Sequence, residues 1–179
     1  LLDRVKGWGS LVMSSATTVE EALWLQAHGA DVVIAQGLEA GGHRGHFLRA
    51  DQDLEGQLPV SGLLAQMQAA VSLPIVAAGG LGHAAAVSAA LQSGAAAVQV
   101  GTAFLLCEEA RTPAVHRQAL MRAAQAGQAV PSEAATALTR LFTGRPARSL
   151  FNRLMRELGP MSPLAPVFPL AGAALAPLR

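Results

Sequence analysis

Apolar residues in this chain come in short unbroken runs separated by longer stretches of helical spacing. The run Ser10-Leu11-Val12-Met13-Ser14-Ser15 ends in hydroxyl residues and leads into a helical pattern from Thr17 to Gln26. Thr18 is placed to cap that helix, Glu21 three positions on completes a reciprocal capping box, and Gly29 ends it. The next run, Asp31-Val32-Val33-Ile34-Ala35-Gln36, lacks polar alternation, as a strand buried on both faces requires. After a glycine-rich loop the pattern recurs. A helix is predicted over about 61–71, a buried strand over 74–78 ending at Gly79-Gly80, a helix over 84–92 stopping at Gly94, and a strand over 97–100 ending at Gly101-Thr102. Four strand-helix units of this kind predict a parallel sheet covered by helices. Beyond them the pattern changes. Thr112 to Gln128 is predicted helical with a polar face, while the segment 139–148 and the proline-rich end are predicted irregular.

Composition narrows the field. The chain has 179 residues, about the length of one domain, and 51% of them are hydrophobic, enough for a real core. A net charge of +1 leaves no electrostatic footprint for nucleic acid and no polybasic membrane patch. The span His83 to Cys107 carries no Asp, Glu, Lys or Arg, yet Gln92-Ser93-Gly94 and Gln99 interrupt it, so it is expected to be a helix and a buried strand rather than a membrane span. The single cysteine, Cys107, rules out an intramolecular disulfide and fits a reducing cytoplasm, which is the expected location. The opening on Leu1, inside a helix end, points to a piece of a longer protein.

In parallel α/β architectures ligands gather at the carboxyl ends of strands. Gly79-Gly80 and Gly101-Thr102 stand at two consecutive strand ends. There, close backbone N–H groups, a hydroxyl and helix N-termini can form a phosphate cradle. Taken singly, glycines there only make tight turns; the pair carries the phosphate reading. The third end, Gln36-Gly37-Leu38-Glu39-Ala40-Gly41-Gly42-His43-Arg44-Gly45-His46, puts one titratable imidazole among glycines. A ligand can therefore approach His43, whose ordinary pKa lets it act as base or charged anchor near neutrality. The bland alternative is a surface histidine bonded to backbone. A metal held by Glu39, His43 and His46 is disfavoured, because the glycines prevent one regular ligand face. Arg44 is expected to be solvated, Cys107 to be a packed thiol, and Trp8 and Trp24 to serve packing rather than flavin stacking.

The segments 35–45, 74–81 and 94–105, with Ser15-Ala16-Thr17-Thr18 upstream and Thr139-Arg140 and Thr143-Gly144-Arg145-Pro146-Ala147-Arg148 downstream, together resemble the nitronate monooxygenases, formerly called 2-nitropropane dioxygenases. Flavin-dependent enoyl-acyl-carrier-protein reductases are related. The resemblance implies a (β/α)8 TIM barrel, represented here by roughly its C-terminal half in residues 1–110. A helical and irregular extension, residues 111–179, packs on the barrel within the same domain. A closed barrel needs roughly 200 residues or more, so about half of it lies outside this chain. The resemblance further implies noncovalent FMN. Its binding positions are Gln36, Gly41, Gly42, Gly79, Gly80, Gln99, Val100, Gly101 and Thr102, with Gln36 and Gly41 toward the flavin and Gly80 with Gln99 to Thr102 on its phosphate. His43 becomes the catalytic residue. The implied reaction passes an electron from an alkyl nitronate to the flavin, and O2 then yields a carbonyl compound and nitrite. The alternatives are an NAD(P)H-dependent flavin reductase acting on quinones or enoyl thioesters, and a non-catalytic binder of phosphate ligands.

Overall fold

A computed structural model describes residues 2–50, 53–124, 131 and 133–175. In chain order the first elements are α1 (Leu2–Lys6), β1 (Met13–Ala16), α2 (Val19–Ala27), β2 (Val32–Gln36), β3 (Gly42–His43), α3 (Val60–Ala70), β4 (Ile75–Ala78), α4 (Ala84–Gln92) and β5 (Ala97–Gln99). A short 3-10 turn over Thr102–Leu106 leads to α5 (Ala114–Ala123), β6 (Thr136–Thr139), β7 (Ala147–Leu150), α6 (Arg153–Leu158) and α7 (Leu170–Ala174). The chain divides into two compact units, Leu1–Ala40 with Gly45–Val100, and Gly41–Arg44 with Gly101–Arg179.

The first unit holds a parallel sheet in the order β1-β2-β4-β5. Its central strands need no polar face because both faces are covered. Val33, Ala35, Ile75 and Ala77 point to the helices, where they meet Ala22, Leu25, Leu63, Leu64 and Met67. Ile34, Val76 and Ala78 form a smaller apolar cluster of their own. Leu63, Leu64 and Met67 are fully buried, each worth about 2 kcal/mol in apolar burial. The strand bounds lie within three residues of the predicted ones, and α4 covers the predicted residues 84–92.

One local expectation changes. The Thr18 side chain caps α2 by accepting the Glu21 N–H at 3.2 Å, but the Glu21 carboxylate does not return to Thr18. It is buried and accepts instead from the Thr17 N–H and hydroxyl and, across 26 residues, from the Phe47 N–H at 2.7 Å. A carboxylate removed from water is satisfied only by several donors, and a reciprocal box would supply just one. At the edge of the unit, Lys6 of α1 pairs with Asp31 at 2.9 Å. That bond and the Val12 N–H hold the Asp31 carboxyl below the usual carboxylate range. Trp8 is 67% exposed beneath the Arg4 guanidinium, contrary to a packing role, whereas Trp24 stacks on His28.

The second unit contains regular structure where the sequence predicts none. β6 and β7 pair antiparallel, and the two-residue β3 adds to β7 with His43 opposite Ala147. β6 and β7 are only four residues long each, too short for alternation to register, and Gly144 with Pro146 between them read as punctuation. Leu141, Met155 and Ala165 form the core of this unit. α5 lies inside the predicted helix 112–128, whose last positions, 125–128, lie outside the described residues. Arg117 of α5 donates to the carbonyls of Leu106, Cys107 and Ala110, tying down the turn that contains the half-buried Cys107. Among the described residues no helix is long and apolar enough to cross a membrane.

Candidate functional site

In the first unit the register places Gln36 beside Ala78 and Ala78 beside Gln99, so the ends of three neighbouring strands form one row. Gly79 and Gly80 follow directly on that row. Gly79 has φ +124°, and a Cβ there would lie 3.0 Å from the Ala40 nitrogen. The position is reserved for glycine by both dihedral and space. Gly80 and Gln99 are exposed and Val100 is half-buried, leaving polar backbone accessible at the carboxyl end of the sheet. The N-terminus of α4 is already partly used, because the His83 ring accepts the Ala86 N–H at 3.3 Å.

Gln36 has a structural part of its own. Its Oε1 accepts the Gly45 N–H at 2.7 Å and so joins the two ends of the glycine loop. Glu39, inside that loop, accepts the Val60 N–H at 2.9 Å and caps α3, whose own N-cap residue, Pro59, offers no side-chain bond. A carboxylate committed to a helix cap is a poor metal ligand, and among the described residues no group of three or more His, Cys, Asp or Glu could hold a metal ion.

In the second unit Gly41, Gly42 and His43 are exposed. A Cβ on Gly41 would lie 2.5 Å from the Thr102 hydroxyl oxygen, so the 3-10 turn after Gly101 presses its hydroxyl against the loop. The structure thus brings Gly41 and Thr102 together. Gly101 is exposed with open space at its α-carbon, and nothing in its packing demands glycine. The His43 Nε2 lies 2.9 Å from the Thr143 hydroxyl. The next loop residue, Arg44, is only 2% exposed, and its N–H donates to the Pro146 carbonyl. This overturns the expected solvated arginine: the backbone bond and the β3–β7 pairing carry Arg44 inward. His46, in the first unit, is buried at 3% exposure.

The sequence places Glu21 in a capping box and Thr143 in a motif, but it does not show their long-range partners, nor that Glu39 caps α3. Thr143 lies 100 residues from His43, beyond any spacing argument; its sole signal was membership of the Thr143-Gly144-Arg145-Pro146 motif.

A family model described as nitronate monooxygenase matches residues 1–178. A nitronate monooxygenase of Pseudomonas aeruginosa is 46% identical over 164 residues, covering 90% of this chain and 43% of that protein. A probable nitronate monooxygenase of Bacillus subtilis is 42% identical over 153 residues, covering 86% of this chain and 41% of its own length. Among solved structures, nitroalkane oxidase from Streptomyces ansochromogenes superposes with a TM-score of 0.84 at 43% identity over 99% of this chain and 48% of that one. FabK from Thermotoga maritima superposes at 0.70 with 29% identity over 87% of this chain and 44% of that one. The chain therefore spans about half the length of the proteins it matches, and its parallel sheet is part of a (β/α) barrel.

Proposed function

Because the chain belongs to the nitronate monooxygenase family, we propose that it is part of an FMN-dependent oxidoreductase that oxidises alkyl nitronates such as propionate 3-nitronate. The observation that carries this reading is His43, exposed on a glycine loop and fixed by Thr143. An imidazole so presented is open to a small substrate and can serve as a proton acceptor or, when charged, as an anchor.

The first-unit groups proposed to bind the cofactor are Gln36, Gly79, Gly80, Gln99 and Val100; those of the second unit are Gly41, Gly42, Gly101 and Thr102. The exposed backbone at Gly80 and Gln99 and the Thr102 hydroxyl at Gly41 are compatible with a phosphate-bearing ligand. When bound, FMN supplies the electron transfer, with O2 as final oxidant and a carbonyl compound and nitrite as products. The protein's own part is to orient the substrate. His43 removes the α-proton of a neutral nitroalkane or holds an anionic nitronate by charge, and Arg44, buried beside it in sequence, keeps the loop in place through its backbone. A cytoplasmic location belongs to the same proposal.

The deciding experiment is steady-state turnover by the full-length protein of propionate 3-nitronate with O2, set against NADH with a quinone. Nitrite release with the nitronate is expected; turnover of NADH and quinone alone would replace this reading with that of a flavin reductase. His43→Asn should retain FMN and lose at least about 100-fold in turnover of neutral nitroalkanes. Wild-type activity in that variant would remove the role assigned to His43.

A further inference from the structure

Arg140, directly after β6, is buried with 8% of its surface exposed, and its Nε is out of solvent with no hydrogen-bond partner. Among the described residues no carboxylate pairs with its guanidinium. Arginine stays protonated in proteins, so the charge cannot be relieved by losing a proton, and a buried charge is tolerated only when it is paired. Nor can the backbone carry the side chain outward. The Arg140 N–H donates to the Pro160 carbonyl at 3.2 Å, and its own carbonyl accepts the Gly144 N–H at 2.8 Å. Just before it, the Thr139 hydroxyl donates to the Pro160 carbonyl at 2.8 Å and accepts the Leu141 N–H at 3.1 Å. A Cβ on Gly144 would strike the Val167 and Phe168 backbone, so the far end of the turn is seated as well. Residues 101–179 are a poor source of a counter-ion. They contain no Asp and no Lys, arginines outnumber glutamates more than two to one, and Glu157 is taken by Arg153 at 2.6 Å. The matched proteins are about twice as long as this chain, so a large part of the fold lies outside these residues.

We propose that Arg140 is a docking point for the part of the protein outside these 179 residues, which supplies an Asp or Glu carboxylate to its guanidinium. The planar fork of an arginine matches a carboxylate with two parallel hydrogen bonds. A diffusing anion has the same chemistry, but it would strand the charge each time it left, whereas a side chain of the same polypeptide stays in place. The turn that starts at Arg140 also carries Thr143, whose hydroxyl lies 2.9 Å from the His43 ring. The ion pair therefore fastens the support of His43 to the rest of the fold.

The test is made on the full-length protein, and the sign of a change in Tm decides it. With a carboxylate facing Arg140, Arg140→Met strands that carboxylate, and Tm should fall by about 5 °C or more. With no partner, the same substitution removes an unpaired buried charge, and an equal or higher Tm overturns the proposal. To separate lost pairing from poor packing of the methionine, each Asp and Glu outside these residues is changed to Asn or Gln, both in wild type and in Arg140→Met. One such change should lower Tm in wild type and leave it unchanged or raise it in Arg140→Met; additive effects at every position refute the pairing. In a further arm acetate is titrated into wild type, where no saturable rise in Tm is expected. A saturable rise that Arg140→Met lacks assigns the site to a free anion and overturns the docking role. All these readings are of stability, so they decide the proposal whether or not the protein oxidises nitronates.

Discussion

Glu21 places a carboxylate where 1% of its surface meets solvent and surrounds it with the Thr17 N–H and hydroxyl and the Phe47 N–H. Removing it strands those donors, so Glu21→Ala should destabilise the protein by about 3 kcal/mol, read as a lower Tm. Unchanged stability would mean that water satisfies these groups as well as the carboxylate does. Gly79 makes a sharper test of the strand end. With φ +124° and the Ala40 nitrogen only 3.0 Å from where a methyl group would sit, Gly79→Ala should cost about 2 kcal/mol. If flavin content falls in that variant with little change in Tm, the strand end acts mainly on the ligand. The sequence marks Gly79, whose positive φ and close neighbour need glycine, and draws attention to His43 by residue type alone. It identifies Thr143 and Glu21 poorly because their roles depend on groups 100 and 26 residues away.

At the scale of elements, α3 depends on a cap supplied from another segment. Pro59 cannot provide a side-chain oxygen, and Glu39 does so across 21 residues. Glu39→Ala should cost about 1 kcal/mol and speed hydrogen exchange at Val60 to Leu63 before the rest of the helix; uniform exchange along α3 would show that the cap is dispensable. α1 is tied to the start of β2 by the Lys6–Asp31 pair. Because the Asp31 carboxyl is held below its ordinary pKa, this tie contributes above the pKa of an unfolded aspartate, near 3.9, and is lost as pH falls through the lower folded value. Asp31→Asn should therefore flatten the acid limb of the stability curve and leave its shape near neutrality unchanged; an unaltered acid limb would show that the pair contributes nothing. The strands of the parallel sheet are legible in the sequence because burial on both faces makes them continuous apolar runs. β6 and β7, with Thr136, Thr139, Arg148 and Ser149 among eight residues, carry no such run and are held by the hydrogen bonds they exchange with each other and, for β7, with β3.

For the molecule as a whole, the parallel sheet ends at β1 on one side and β5 on the other. Met13 is 56% exposed and Leu11 78%, so apolar surface accompanies an open edge, a combination that favours association. The 179-residue chain expressed alone should form concentration-dependent oligomers in size-exclusion chromatography and hold FMN weakly, read from the visible flavin band after desalting. A monomer with stoichiometric flavin would show that these four strands suffice. The bond between the Gln36 side chain and the Gly45 N–H has a separate consequence for engineering. It fastens the chain just before and just after residues 37–44, so the intervening stretch is in effect a cassette with its own clasp. Under the proposed function, substrate preference could be altered by exchanging residues within the clasp, with the parallel sheet left untouched, provided that Gln36, Glu39, Gly41 and the β3 residues Gly42 and His43 are kept.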